Sequence, residues 1–431
     1  MPFVPLTHLG SGMIALSMPS PHPARPRSKP LTLLTHGLVL MLMLMLMLML
    51  AAVPIARAAS TDPLAQVQAL PQASLLLQEN GRDLIATRAD TPRIPASTMK
   101  VLTAFAALET WGRNHRFETD FYTDDAGWLW VKGYADPYLV SEELDKVVSA
   151  LAAKGPRRIT GIGLDDSFFS PDVEIAGRSS TDNPYDAPVT ALAANFNTVS
   201  LIRTGDSIKS AEPQTPLTDS ARRFGMAGAA GKQRVNLRER DKALRYFGEL
   251  LAAKLEGAGI QVGEQQRIGS MPRDAERIYR HANSRTLAEM VSPMLDYSNN
   301  FIANALFLRL ADPKGTGQVS MAAAKRAMTD FARTRFAWRD FTIDDGAGLS
   351  RANRLSARQL VELLDAFEPY RDLMPQQDGN PSVRAKTGTL RGVSTYVGYV
   401  RRGGDWAPFA LMINEPVDGA IRQRVASSLA R

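Results

Sequence analysis

Cysteine is absent from all 431 residues, which excludes disulfides, thiolate metal ligands and cysteine nucleophiles together. Histidine is almost as scarce: of five in the chain, only His115 and His281 lie beyond residue 58. Two isolated histidines argue against a zinc site and leave a Ser-His-Asp mechanism few candidates. A hydrolase built on this chain would take its base from another residue type. Charge of one sign is also in short supply. The first 58 residues hold four Lys/Arg and no Asp/Glu, so 47 basic residues face 44 acidic ones in the remainder, a net charge of +3 rather than +7. Basic residues beyond the start gather only in short pairs such as Arg157-Arg158 and Arg401-Arg402. Nucleic acid needs a clustered basic face, and no nucleic-acid partner is expected.

What is present begins with a leader. Arg25, Arg27 and Lys29 precede an unbroken apolar run from Leu38 to Val53, followed by Ala56-Arg57-Ala58. A basic start, an apolar stretch and an A-x-A site are the parts of a secretory signal peptide. The run is 16 residues, short of the roughly 20 that span a bilayer. Residues 1–58 therefore read as a cleaved signal, with a retained anchor and weak membrane association as the other reading, and the remainder as periplasmic. Over the whole chain, 45% hydrophobic against 22% charged residues is the balance of an ordinary globular protein, long enough for two or three domains.

"ASLLLQENGRDLIATRA" reads as two strands around Asn80-Gly81, a strong hairpin signal. A buried helix follows in "RIPASTMKVLTAFAALE", where Val101, Leu102, Phe105 and Leu108 recur at roughly helical spacing. From His115 to about Ile202 the pattern predicts short strands and turns, interrupted by a helix near 141–154. Thr204 to Gln233, rich in Ser, Pro, Gly and Ala without a clear period, reads as a long loop or linker. An amphipathic helix is expected at "RDKALRYFGELLAAKLEGAGI", a strongly apolar one at "FIANALFLRLA", and further helices around 286–295, at 320–333 and at 356–367. Three strands, "SVRAKTGTL", "VSTYVGYVRR" and "WAPFALMIN", and a short helix close the chain. Strands at both ends around a helical middle imply an α/β or α+β protein whose sheet is built from both termini.

Three short strings carry chemistry. Ser97-Thr98-Met99-Lys100 puts a hydroxyl and an amine one helical turn apart on one face. A lysine is misplaced there by helix electrostatics, since the helix N-terminus is itself positive. It becomes useful if burial and neighbouring positive charge lower its pKa, because a serine nucleophile needs a base beside it. Ser298-Asn299-Asn300 falls in a break between two helices; its hydroxyl could relay a proton and its amide could hold a substrate amide. Lys386-Thr387-Gly388-Thr389 lies on a strand, where alternation puts Thr387 and Thr389 on one face and Gly388 leaves room for a ligand backbone. A lysine and two hydroxyls suit a substrate carboxylate. Alone, each string has a plainer reading: a capping serine with a surface lysine, a capped helix start, an ordinary exposed strand.

Together and in this order, S-x-x-K, S-x-N and K-T-G resemble the motif set of the penicillin-recognising serine enzymes. Within them the chain resembles the class C low-molecular-mass penicillin-binding proteins, the D-alanyl-D-alanine carboxypeptidase/endopeptidase (peptidase S13) family. Ser97 and Ser298 are 201 residues apart, matching that family's large insertion. "YADPYL", "LDDSFFS" and "DDGAGLSR" are similar to its G-G-D-P-x-L, D-D-S-x-F and D-G-S-G-L-S-R segments. Asn299 stands where the family often has Asp, and the insertion is short around 204–233.

The resemblance implies an antiparallel sheet from both chain ends flanked by helices, residues 59–114 plus 281–431, and a β-rich inserted domain over 115–280, reduced relative to larger members. It implies cleavage of D-Ala-D-Ala, or of D-Ala-meso-diaminopimelate cross-links, in peptidoglycan, with β-lactams as covalent inhibitors and no metal or organic cofactor. Ser97 would be the nucleophile, Lys100 its base, Ser298 the relay to the leaving amine and Asn300 the holder of the acyl-side amide. Lys386, Thr387 and Thr389 would receive the terminal carboxylate beside Gly388, and the backbone N–H groups of Ser97 and Thr389 would form the oxyanion hole. Two alternatives stay open: a β-lactamase, and a non-catalytic cell-wall-binding or sensor protein on the same scaffold.

Overall fold

Asn80 and Gly81 both adopt positive φ, 51° and 72°, the pair of left-handed conformations that a two-residue hairpin turn requires. They join β1 (Ala73–Glu79) to β2 (Arg82–Thr87). The structure, a computed structural model, describes residues 62–377 and 379–431 together with Met41, Met43 and Met45. The rest of the leader lies outside the described residues, and with it the readings of a cleaved signal or an anchor. Among the described residues no helix is long and apolar enough to cross a membrane.

β1 also pairs with the last strand, so the two ends of the described chain meet in one sheet. The tail supplies β11 (Gln376–Gln377), β12 (Asn380–Leu390), β13 (Val393–Arg402) and β14 (Asp405–Ile413). The sheet is antiparallel throughout, in the order β11-β12-β13-β14-β1-β2. β13 is buried along its first eight residues, as a strand covered on both faces must be. Alternation then sorts the side chains. Leu75, Leu77, Tyr396, Phe409 and Leu411 pack with Val67, Ile421 and Val425 of the two terminal helices, Pro63–Ala69 and Ile421–Leu429. Leu76, Val397, Ala410 and Met412 face the other way, onto the helices Met99–Trp111 and Ala357–Phe367. The Met99–Trp111 helix is buried on every side from Met99 to Leu108, which explains its nearly continuous apolar sequence.

The middle of the chain builds a second apolar core. β3 (Glu118–Thr123), β4 (Trp128–Gly133), β5 (Arg158–Asp165), β9 (Gln261–Ile268) and β10 (Glu276–Ala282) form a mixed sheet ordered β10-β3-β4-β5-β9. Helices Ser141–Lys154 and Arg240–Gly257 cover it through Leu144, Val147, Leu244, Phe247 and Leu251. Beside them lies a three-stranded sheet, β7-β6-β8, made of β6 (Thr198–Thr204), β7 (Ser207–Ser210) and β8 (Gly231–Asn236).

The reading of 204–233 as a loop is corrected here. The segment holds β7, the start of β8 and a helix, Asp219–Ala227, whose N-terminus is capped by the Thr218 side chain accepting from the Ala221 amide. The helix seats Ala221 in the second core, while the strands expose most of their side chains and so show little apolar alternation. β9 and β10 escaped the sequence reading for the same reason: β9 has no fully buried residue and β10 has one, His281.

Candidate active site

The nucleophile candidate does not sit in the helix that its periodicity suggests. Ala96–Thr98 form a 3-10 turn, entered through Ala96 in a left-handed conformation (φ 48°), and the α-helix starts at Met99. The left-handed residue costs about 1 kcal/mol or more and persists because its surroundings pin it. Thr395 of β13 and Thr98 both donate to the Pro95 carbonyl, at 2.8 and 2.6 Å. Gly388 of β12 lies against the same turn: a Cβ there would come within 2.9 Å of the Pro95 oxygen and 3.0 Å of the Ser97 nitrogen. The room made by Gly388 is thus filled by the Ser97 segment and by the Thr395 hydroxyl, which differs from the expectation that a ligand backbone would use it.

Lys100, in the first turn, is fully buried. Its Nζ lies 3.0 Å from Ser97 Oγ, 2.8 Å from Asn300 Oδ1 and 2.8 Å from the Ala347 carbonyl. Burial, and then the positive charge of Lys386, hold its pKa well below that of a free lysine, with Asp345 opposing. A neutral amine has two N–H donors and one lone pair. Two carbonyl-type acceptors take its two donors, and the Ser97 hydroxyl, which can donate as well as accept, is the third neighbour.

Asn300 is the first residue of the helix Asn300–Arg309 and also donates, through Nδ2, to the Tyr185 carbonyl at 3.1 Å. Asn299 caps that helix by accepting from the Ile302 amide at 3.1 Å. Capping needs only a side-chain oxygen, which Asp or Asn supplies equally, so Asn at this position keeps the local structure. Ser298 links the helices Leu287–Asp296 and Asn300–Arg309 in a left-handed conformation, φ 56°. Its hydroxyl makes no hydrogen bond to another described residue.

Lys386 is 1% exposed and, unlike Lys100, its amine makes no hydrogen bond to a described residue. Burial lowers its pKa to about 8; Asp296 opposes the shift and Arg422 adds to it. Thr387 and Thr389 alternate onto the other face of β12, half-buried and exposed respectively. β11 pairs with β12 only at Asn380 and Arg384, which leaves the outer edge of residues 386–389 without a strand partner among the described residues. Ser97, Lys100, Asn300 and Gly388 are in direct contact; Lys386 joins them through its electrostatic effect on Lys100.

The decisive comparison is with protein families. The model of the D-Ala-D-Ala carboxypeptidase 3 (S13) family matches residues 61–372 and 368–431. The chain belongs to that family. As an S13 peptidase it is a serine DD-peptidase acting on peptidoglycan, an extracytoplasmic substrate. Among curated relatives, a D-alanyl-D-alanine carboxypeptidase of Actinomadura sp. (strain R39) is 26% identical over 430 residues, covering 81% of this chain and 79% of the relative. Among solved structures, penicillin-binding protein 4 of Haemophilus influenzae superposes with a TM-score of 0.69 at 20% identity, over 86% of this chain and 98% of that one. The same protein complexed with a β-lactam gives 0.64, again at 20% identity, over 85% and 97% of the two chains. A predatory endopeptidase of Bdellovibrio bacteriovorus gives 0.50 at 16%, over 83% and 91%. These likenesses show the fold, a penicillin-recognising architecture with an antiparallel sheet and flanking helices.

Two features beside these residues were given no role by the motif reading. The Asp345 carboxylate accepts from the amides of Ala347 (3.0 Å), Leu349 (3.1 Å) and Ser350 (3.0 Å), folding "DDGAGLSR" into a tight loop. Thr103 and Asn304 tie Gly346 of this loop to both helices, and Gly348 lies so close to Ala96 that a Cβ would stand 1.8 Å from its oxygen. The loop's product is one aimed carbonyl, that of Ala347. The other feature is Arg422, on the last helix, which donates to Thr389 Oγ1 at 2.9 Å and the Gly388 carbonyl at 3.2 Å. The string "DDGAGLSR" marks the loop but not the carbonyl it aims, and no string marks a lone arginine.

Proposed function

We propose that hydrolysis runs through an acyl-enzyme on Ser97, with Lys100 as its base. The observation that carries this reading is the Lys100 amine, fully buried and held between Ser97 Oγ, Asn300 Oδ1 and the Ala347 carbonyl. As Ser97 Oγ attacks the carbonyl of the penultimate D-alanine, its proton passes to Lys100 Nζ. The tetrahedral oxyanion is received by the N–H groups of Ser97 and Thr389. The C–N bond then breaks: Lys100 Nζ passes the proton it took to Ser298, whose hydroxyl has no partner among the described residues, and Ser298 gives its own proton to the leaving amine, which leaves Lys100 neutral again. Water attacks the ester with Lys100 again as base, and the proton returns to Ser97 Oγ.

The substrate peptide lies along the free edge of β12, in the manner of an added strand. Lys386, Thr387 and Thr389 take its terminal carboxylate, and Asn300 Nδ2 holds the acyl-side amide. The leaving amine belongs to free D-alanine in carboxypeptidase action and to the D-centre of meso-diaminopimelate in endopeptidase action. β-Lactams enter the same steps and stop at the acyl-enzyme. We read residues 59–114 plus 281–431 as the catalytic domain and 115–280 as its insertion; the separate apolar core around β3, β4 and β5 supports that division. The leader composition supports periplasmic export.

The test is digestion of purified pentapeptide muropeptides and cross-linked dimers, with products identified by mass. Loss of D-alanine, cleavage of the dimer or both are expected for the wild type and neither for Ser97→Ala. Rapid nitrocefin turnover with untouched muropeptides would instead make the protein a β-lactamase.

A further inference from the structure

We propose that a second site, away from Ser97, binds a small oxyanion such as a carboxylate or phosphate group on the guanidinium of Arg309. Arg309 ends the helix that begins at Asn300 and lines a pocket of about 120 Å³ against β3 and β10. Its side chain is nine-tenths buried, with 9% exposed. Of five N–H donors, the contact met among the described residues is one, Nη1 to the Asp312 carbonyl at 2.9 Å, and Nε is buried with no partner. Phe168 covers one face of the guanidinium, 4.8 Å from ring centre to Cζ. Gly315, at φ 72°, comes so close to the opposite edge that a Cβ would stand 2.8 Å from Nη1.

A buried lysine can relieve an unpaired charge by losing its proton. Arginine cannot. The neighbouring Asp312 carboxylate attracts Arg309 but is taken up by the amides of Gly315, Thr316 and Gly317, so the buried guanidinium stays short of hydrogen-bond partners that a ligand would supply. The surrounding charges favour that ligand. Arg116, Arg280 and Lys314 line the same pocket, against a single carboxylate, Glu118, which is already bridged to Arg280 at 3.1 Å. Arg280 is paired with Asp120 as well as Glu118 and adds no net positive field, whereas Arg116 is engaged only by the uncharged carbonyls of Asn283 and Ser284 and keeps its charge. Lys314 is exposed and has no partner among the described residues, which leaves its ammonium free at the mouth. The helix C-terminus opposes an anion with about half a negative charge, less than the one guanidinium supplies. A volume of about 120 Å³ has room for roughly four waters, hence for the head of an oxyanion and not for a peptide or sugar unit.

The test is thermal unfolding of the full chain in millimolar inorganic phosphate and, separately, acetate, each against chloride at matched ionic strength. A saturable rise in Tm is expected with at least one of them. A response to phosphate alone assigns a phosphate-type ligand, and a response to acetate a carboxylate. The exposed Lys314→Glu should raise the half-saturating concentration about fivefold or more, the size of one partly exposed charge pair. Arg309→Lys, which keeps the charge and loses the fork, should abolish saturation. Equal Tm in all three salts, or the same saturable rise in Lys314→Glu as in the wild type, would overturn the proposal and leave the pocket to water.

Discussion

Lys100 and Lys386 are both buried lysines of one site, and the protein treats them in opposite ways. Lys100 has every polar valence met: a hydroxyl, a side-chain amide and a backbone carbonyl within 3.0 Å. Lys386, on β12, is buried as a residue, and its amine has no hydrogen-bonding partner among the described residues. A group with a complete set of partners is organised before substrate arrives and is suited to moving a proton. A group left short of partners gains them only from a ligand, which suits it to a carboxylate. The same contrast explains why two distant segments converge on Lys100, while Lys386 stands at the open edge of a sheet.

The largest effect that would sharpen this contrast is expected at Lys386. Lys386→Met should lower kcat/KM about 100-fold on peptides with a free terminal carboxylate, the size of a lost hydrogen bond between charged groups, and much less on the corresponding amides. Equal losses on both would place Lys386 in proton transfer instead. The variant should also be more stable. A lysine with a pKa of about 8 in the folded protein, against 10.5 when free, takes up a proton on unfolding. It therefore costs stability below pH 8 and regains it between pH 8 and 10.5, so Lys386→Met is expected to gain about 3 kcal/mol at pH 7, with the advantage shrinking as pH rises through that window. Chemical denaturation of both proteins across that range checks it.

Asn300→Ala comes next. It removes one of the three partners of Lys100 and should slow β-lactam acylation about tenfold, the value of one orienting hydrogen bond, for ligands with and without a carboxylate alike. The smallest effect is expected at Arg422. Its charge depresses the Lys386 pKa and its guanidinium steadies Thr389, so Arg422→Ala should raise KM for carboxylate substrates about threefold and move the alkaline loss of binding to higher pH. A pH profile of KM reads both.

Much of this site was legible because its chemistry is written in side chains at helix and strand spacing. S-x-x-K, S-x-N and K-T-G each name groups that only those residues provide, and the Asn80-Gly81 hairpin shows where one edge of the sheet lies. The remainder is harder to read for physical reasons. The third partner of Lys100 is the Ala347 carbonyl, a group every residue carries, and its aim comes from Asp345 accepting three amides, a fold that a string does not display. Gly388 looked like room for a ligand because the approach of Pro95 and Ser97 is a tertiary fact. β7, β8 and β9 were missed since their side chains are mostly solvated, and pairing of backbone groups leaves no apolar period.

The central claim is that Lys100 serves as the base for Ser97, and the rate of acylation by benzylpenicillin tests it most directly. Intact mass against time gives that rate, and peptide mapping gives the acylated residue. For Lys100→Ala the account predicts a rate at least about 100-fold below wild type, the low end for a lost general base, with the adduct still on Ser97. An undiminished rate, or an adduct on another residue, would contradict it.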